Sequence, residues 1–469
     1  MPKELTHWYL AKRLAEKILE FEGPPVSSSE CTIPGCISNK GAKSYISKND
    51  LLASSPARGG SDSLSLTVAA PSPGPGTSVP GLPATGGRPA FPTLARCLRS
   101  APNAYLLGAV GPDYLFYYLW GKELETFRTA AMVLHGSDGG NTLRPIQAAV
   151  EVCGGRMKEA EMAFLSGYMA HVVGDAVFHP LVLYTVGKGE GRPQYEHHVF
   201  ESVLDLYILD RWGKEEGALP TLPTTLKELT HRMTSSGELT RKGFLRMLGA
   251  VSFLGASYSA ESLQTCLKRY ERIQGWFWTS LGCVGARLLK ALNRKYAFFE
   301  ASFYQKRFYR YREAFRGMLE YRHPVTGASR TVAIEDLVME MVEEGLSHAV
   351  RLEPLFNQIL GAGKTESWFE TPTEMFRFNG PSGELAPASG GEAQSAVADV
   401  PGFPHSGGSG GPGEIPPGIE ILPAVLEGLR ALQGPNLETG LFADRADRIL
   451  YTRAEGLAGL FGPYGYRRG

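Results

Sequence analysis

Charge of one sign is what this sequence lacks first: 48 basic and 48 acidic side chains leave no formal net charge. Nothing in the global balance therefore draws the chain toward nucleic acid or an anionic membrane, although local patches remain open. Long apolar runs are also missing. The nearest to one, around residues 275–286, is interrupted well before the roughly 18 residues that a membrane span requires. The N-terminal segment MPKELTHWYLAKRLAEKILEFEG is charged throughout and has no apolar centre of the secretion-signal kind. The expectation is a cytoplasmic protein without a transmembrane segment. Cysteine is scarce. Cys31, Cys36, Cys97, Cys153, Cys266 and Cys283 follow no zinc-finger spacing and are expected as free thiols. Alternating strand patterns and repeats of fixed period are absent as well.

What is present is helical periodicity and two low-complexity stretches. In residues 3–22, Leu5, Tyr9, Leu10, Leu14, Ile18 and Leu19 recur at three- and four-residue steps, and Gly23-Pro24-Pro25 ends the pattern. Residues 24–92 are rich in Gly, Pro and Ser and read as a flexible insert; 379–417 read as a linker. Helical spacing fills 93–135, 143–190, 194–213, 223–234, 241–250, 259–293, 295–320 and 333–360. The domain so outlined comprises 1–23 and 93–378, followed by a short helical C-terminal segment, 418–469. The fold class expected is all-α: a multi-helix bundle with a long disordered insert and a tethered C-terminal segment.

Six of the ten histidines lie before residue 200. In AFLSGYMAHVVGDAVFHPL, His171, Asp175 and His179 stand four residues apart, which places them on one stripe of a helix. Imidazole and carboxylate are ligands that zinc accepts, and three on one stripe can bind one ion or be shared between two. Pro180 is expected to close that helix. In YEHHVFESVLDLY the same spacing recurs as His197 and Glu201, with Asp205 one turn on. His198 points about 100° away from His197, so His197 is the ligand candidate. A lone helical histidine is more often a satisfied polar residue, but two such stripes flanked by Phe164, Leu165, Val172, Val173, Val177 and Phe178 need partners for their buried polar groups. His7, Asp113 and His135 are weaker candidates taken singly. Glu196, Asp205 and Asp138 stand where they could fix imidazole tautomers, or could equally be solvated helix-face charges.

In chain order, Thr6-His7, then Gly108-Ala109 with Pro112-Asp113, then His135, then H-x3-D-x3-H-P, then H-x3-E resemble the zinc-dependent phospholipase C family. That family includes bacterial phospholipases C and the N-terminal domain of glycosylphosphatidylinositol-specific phospholipase D, and it shares its helical fold with the single-strand-specific zinc nucleases. The resemblance covers residues 1–22 and about 93–212. It implies a phosphodiester hydrolase with two to three zinc ions. On this likeness His171, Asp175, Asp113 and His135 bind one ion, His179, His197 and Glu201 a second, and His7 helps hold a third. Asp113 is then the carboxylate beside the reactive water.

The substrate implied is a phosphate ester of phospholipid type, with transient membrane-surface contact; nucleic acid is the less favoured substrate. The alternatives are a nuclease or other phosphodiesterase on the same fold, and a non-catalytic metal-stabilised scaffold. The segment 295–316 mixes aromatics with Lys and Arg. It could stack bases or rest on a lipid headgroup surface, but the preferred reading is a helix that packs its Phe stripe inward and turns its cations to water.

Overall fold

A computed structural model describes residues 4–21, 90–189, 191–213, 219–254, 258–293, 296–363, 417–437, 440 and 449–467. The expected insert at 24–92 and linker at 379–417 lie outside the described residues apart from their last few positions, as do Cys31 and Cys36. The four described cysteines, Cys97, Cys153, Cys266 and Cys283, are free.

Helix dominates. Proline and small hydroxyl residues set where each helix begins. Pro92, Pro102, Pro145 and Pro193 sit in the first turns of α2 (Pro92–Ser100), α3 (Pro102–Gly108), α5 (Arg144–Val152) and α7 (Arg192–Trp212), where a missing N–H costs nothing. Thr225, Thr240, Ser259 and Thr279 cap α8 (Leu226–Ser235), α9 (Arg241–Phe253), α10 (Ala260–Trp276) and α11 (Ser280–Leu292), each side-chain oxygen accepting from a backbone N–H three residues on. The stretch 93–135, which carries unbroken helical spacing, is thus cut into α2, α3, a 3-10 turn (Pro112–Tyr117) and α4 (Leu124–Leu134).

The centre of the fold is α6 (Glu159–Val186). It is apolar on all sides, so it can be stable only when surrounded. It is long and apolar enough to cross a membrane, yet 83% of its most apolar window is buried inside the protein, as befits a core helix. Around it pack α1 (Glu4–Glu20), α2, α3, α7 and α14 (Ile334–Gly363). The crossing with α3 is the tightest. A Cβ on Gly108 would lie 1.9 Å from the Phe164 carbonyl oxygen, and one on Gly167 1.9 Å from that of Tyr105. Only glycine at both positions lets the two backbones touch, and that contact sets the distance between His171 on α6 and the turn that follows α3.

Two expectations are corrected. Pro180 does not end its helix; α6 runs on to Val186. The proline removes the hydrogen bond that the Ala176 carbonyl would receive. Gly440, at φ +68°, approaches that carbonyl so closely that a Cβ there would sit 2.4 Å from its oxygen. A strand pair also exists. β1 (Leu319–Arg322) and β2 (Ser329–Val332) form an antiparallel hairpin with Leu319 opposite Val332. Four residues per strand are too few for a period of two to stand out from helical spacing. The segment 295–316 forms two short helices, α12 (Ala297–Ala301) and α13 (Phe308–Tyr311), and a turn rather than the one helix expected, but Phe303 between them and Phe308, Tyr311 and Phe315 are buried as the preferred reading has it.

The C-terminal segment is docked on this body through α15 (Pro417–Ala431), which packs on α5 and α14, and α16 (Leu457–Phe461), which packs on α6.

Replacing Gly167 by Val is expected to wedge α3 from α6 and cost about 2–4 kcal/mol. Gly285→Ala, at a helical glycine with open space where the Cβ would go, is the control and should leave the melting temperature unchanged or slightly raised. Equal melting temperatures for the two variants would show that the close crossing is not required.

Candidate metal centre

Five separate elements deliver the eight candidate residues to one place. His7 comes from α1, Asp113 from the 3-10 turn after α3, and His135 from the C-terminal end of α4. His171, Asp175 and His179 come from α6, and His197 and Glu201 from α7. All but His197 are buried. Three groups have ligand atoms within 4.8 Å of one another: His7, Asp113 and His171; His135, His171 and Asp175; and His179, His197 and Glu201.

Asp175 is the hub. Its Oδ1 lies 3.4 Å from His7 Nε2 and 3.7 Å from His179 Nε2. Its Oδ2 lies 3.2 Å from His171 Nε2 and 3.9 Å from His135 Nε2. Asp113 repeats the arrangement on the other side. Its Oδ1 is 3.2 Å from His135 Nε2 and 3.8 Å from His171 Nε2, and its Oδ2 is 4.0 Å from His7 Nε2. The His7 ring also stacks on His171, with centroids 4.0 Å apart. His7 therefore shares the cluster of His171 and both aspartates. At the other end, His197 Nε2 lies 2.7 Å from Glu201 Oε1. His198 sits 3.6 Å from the opposite Glu201 oxygen, outside the group.

The tautomers follow from backbone contacts. A carbonyl only accepts, so an imidazole nitrogen that faces one must carry the proton. His135 Nδ1 donates to Ala131 O at 2.7 Å, His171 Nδ1 to Ala109 O at 2.9 Å, and His179 Nδ1 to Leu437 O at 2.7 Å. In the neutral rings, the Nε2 atoms of all three then present lone pairs to the lone pairs of Asp113 and Asp175. His7 Nδ1 and Nε2, His171 Nε2, His179 Nε2 and both Asp175 oxygens have no hydrogen-bond partner although they are buried. Facing lone pairs in a dry interior repel, and unsatisfied buried groups are costly, unless a cation sits among them. Borderline nitrogen and hard oxygen donors in this number fit zinc.

Electrostatics agrees with that donor set. Burial, and then the neighbouring His171, hold the His7 pKa well below its usual value; burial brings His179 down to about 3 despite Asp175. Both imidazoles are thus neutral at neutral pH, the form that binds metal. Burial opposes ionisation of Asp175, but His179, His171 and His7 outweigh it and keep the carboxylate well below its normal range. For Glu201, burial is likewise outweighed, chiefly by His197. Burial also works against the charged form of His171, yet Asp175 and Asp113 together raise it.

The carboxylates considered for tautomer control work elsewhere. Asp205 accepts from Thr6 N at 2.9 Å and Thr6 Oγ1 at 2.6 Å, and from Tyr304 Oη at 2.7 Å. It anchors the start of the helix that carries His7 rather than an imidazole. Glu196 accepts from Arg192 Nε at 2.9 Å and from Leu457 N at 3.4 Å, which ties down the C-terminal turn. Asp138 accepts from Gly140 N in an exposed turn.

The group that sequence reasoning missed is the strap 432–437. Asn141 Nδ2 donates to Leu432 O and Gly434 N to Asn141 Oδ1, both at 2.6 Å; Thr142 Oγ1 donates to Pro435 O at 2.7 Å. Asn436 Nδ2 donates to Gly136 O at 2.8 Å, and Leu437 N to His135 O at 3.3 Å. The strap thus touches the backbone of one candidate ligand and holds the ring of another. Any residue has a carbonyl, so no side-chain pattern announces this role. Asn436→Ala is expected to weaken zinc binding by about tenfold, measured by chelator competition, with the circular dichroism spectrum unchanged. Unaltered affinity would show that the strap does not hold His179 in place.

The family model described as zinc dependent phospholipase C matches residues 82–244, a stretch that contains every candidate residue except His7. No significant match is found among curated proteins or among solved structures. Over residues 82–244, the chain is similar to the zinc-dependent phospholipase C family.

Proposed function

We propose that the protein is a zinc-dependent hydrolase of phosphodiesters, acting on a substrate of phospholipid type. The observation that carries the reading is the buried set of imidazole and carboxylate groups that converge while His7, the Nε2 atoms of His171 and His179, and both Asp175 oxygens lack hydrogen-bond partners. Asp175 faces two histidines with each oxygen and would be a ligand to bound zinc. His171, His135 and Asp113 complete one position beside it, His179, His197 and Glu201 another, and His7 stands where a third would draw on Asp175 and Asp113.

Bound zinc supplies Lewis acidity, which lowers the pKa of a water molecule and neutralises phosphoryl charge. The chain's own groups do the rest. Asp113 is the aspartate of the cluster that lies on a turn rather than in a long helix, with side-chain exposure of 5% against 0% for Asp175. It is the carboxylate placed to orient the attacking water and take its proton. The Nδ1–carbonyl contacts of His135, His171 and His179 keep each ring from turning during turnover. His197, whose side chain is 19% exposed, marks the edge from which a phosphodiester enters.

Two measurements test this. Metal analysis of purified protein should find about two to three zinc ions per chain, and His171→Ala/His197→Ala should lose both the metal and the hydrolysis of a chromogenic phosphodiester. Zinc-free wild type would end the reading. Asp113→Asn should lower kcat by about a hundredfold or more, and cleavage of the phosphatidylcholine headgroup should exceed cleavage of single-stranded DNA. The reverse preference would make the protein a nuclease.

A further inference from the structure

Helix α11 is built inside out. Leu281, Val284, Leu288 and Leu292 recur at three- and four-residue steps and form one stripe, yet they are 83, 50, 62 and 84% exposed. Leu289 widens the stripe. The opposite side does the packing. Ala286 is the buried residue of this helix and Gly282 meets the Phe303 ring, within a small cluster of Ile273, Phe277, Ala286 and Phe303 that is separate from the main core. Exposed Trp276 and Tyr296 flank the helix at its two ends. A contiguous apolar stripe of this size on a protein surface marks a binding face.

The charges beside it narrow the occupant. From Ser280 to Arg316 the chain has nine basic residues and two acidic ones, Glu300 and Glu313, and of these Arg312 and Arg316 pair with Asp210 of α7 and with Glu313. Arg287, Lys290 and Arg307 all converge on Glu300, at 3.5, 2.7 and 3.3 Å, so three cations share one carboxylate and leave the flank positive. Leucines in a row, a Trp and a Tyr at the ends, and excess Lys and Arg at the sides are the composition of a helix that lies in a lipid interface. The face is also continuous with the site. α11 packs on α12, and α12 packs on α7. Phe298 of α12 lies 5.9 Å, ring to ring, from His198, whose 28% exposed side chain stands beside Glu201 at the open edge.

We infer that α11, with Trp276 and Tyr296, docks the protein on a bilayer containing anionic phospholipid and so brings the edge at His197 and His198 to the headgroup plane. The choice of lipid over another apolar partner rests in part on the phospholipid-type reading above. Pairing of two copies through this face is the outcome to be set against it.

The test is co-sedimentation of the full chain with vesicles of phosphatidylcholine mixed with phosphatidylserine, and of phosphatidylcholine alone. It is run for wild type and for Leu281→Asp/Leu288→Asp/Leu292→Asp. Wild type should bind the mixed vesicles more tightly, and added salt should weaken binding. The triple variant should bind at least about tenfold more weakly. It should keep the melting temperature and the hydrolysis of a soluble chromogenic phosphodiester, because these side chains already face water. Failure of wild type to bind, equal binding by the variant, or a wild-type dimer in light scattering that the variant abolishes would each overturn the inference. Soluble hydrolysis without vesicle binding would remove the docking face and leave the enzyme; vesicle binding without hydrolysis would do the opposite.

Discussion

The whole arrangement depends on two carboxylates that are buried against imidazole lone pairs. Asp113 and Asp175 sit in a dry interior, and the rings that surround them offer Nε2 atoms whose protons have been assigned, through backbone carbonyls, to the other nitrogen. Such a constellation is unstable as a set of neutral hydrogen-bonding groups. It becomes stable with a doubly charged cation among the donors, because the same lone pairs then attract rather than repel. Zinc binding at these donors would in that sense be coupled to folding.

Holding the cluster together is a problem of distance along the chain, solved by rigid neighbours. The glycine contact between α3 and α6 brings the turn of Asp113 to His171, since any side chain at Gly108 or Gly167 would push the helices apart. Asp205 fixes the first turn of α1 and with it His7. The strap at 432–437 closes the far side through Leu437, and Gly440 lies against the Ala176 carbonyl that Pro180 leaves without its helical hydrogen bond. The strap lies outside the stretch that matches the family model.

The surface has a corresponding asymmetry. Most of the cluster is sealed, and exposure rises toward His197 and His198. Near that edge, α11 turns leucines outward. A sealed metal cluster with one open edge beside an apolar, basic face suits a substrate that is itself part apolar and part anionic.

The histidine and carboxylate spacings determine by themselves that α6 and α7 each bring histidine and carboxylate to one face, because helix periodicity is local and four residues return to nearly the same face. The all-helical class is equally local, since the apolar spacing and the caps speak for each helix in turn. Tertiary structure alone decided the rest. His7 and His135 could be joined to the stripes only through resemblance, because nothing in their own neighbourhoods points across more than a hundred residues. The role of Asp205 turned on which helix end it met, and the tautomers turned on carbonyls, which every residue possesses. Pro180 was misread because the cost of a proline inside a helix can be outweighed by packing of that helix on its neighbours, which no local pattern shows. The outward stripe of α11 looked like any amphipathic helix, since the period of a pattern says that a face exists but not which way it turns.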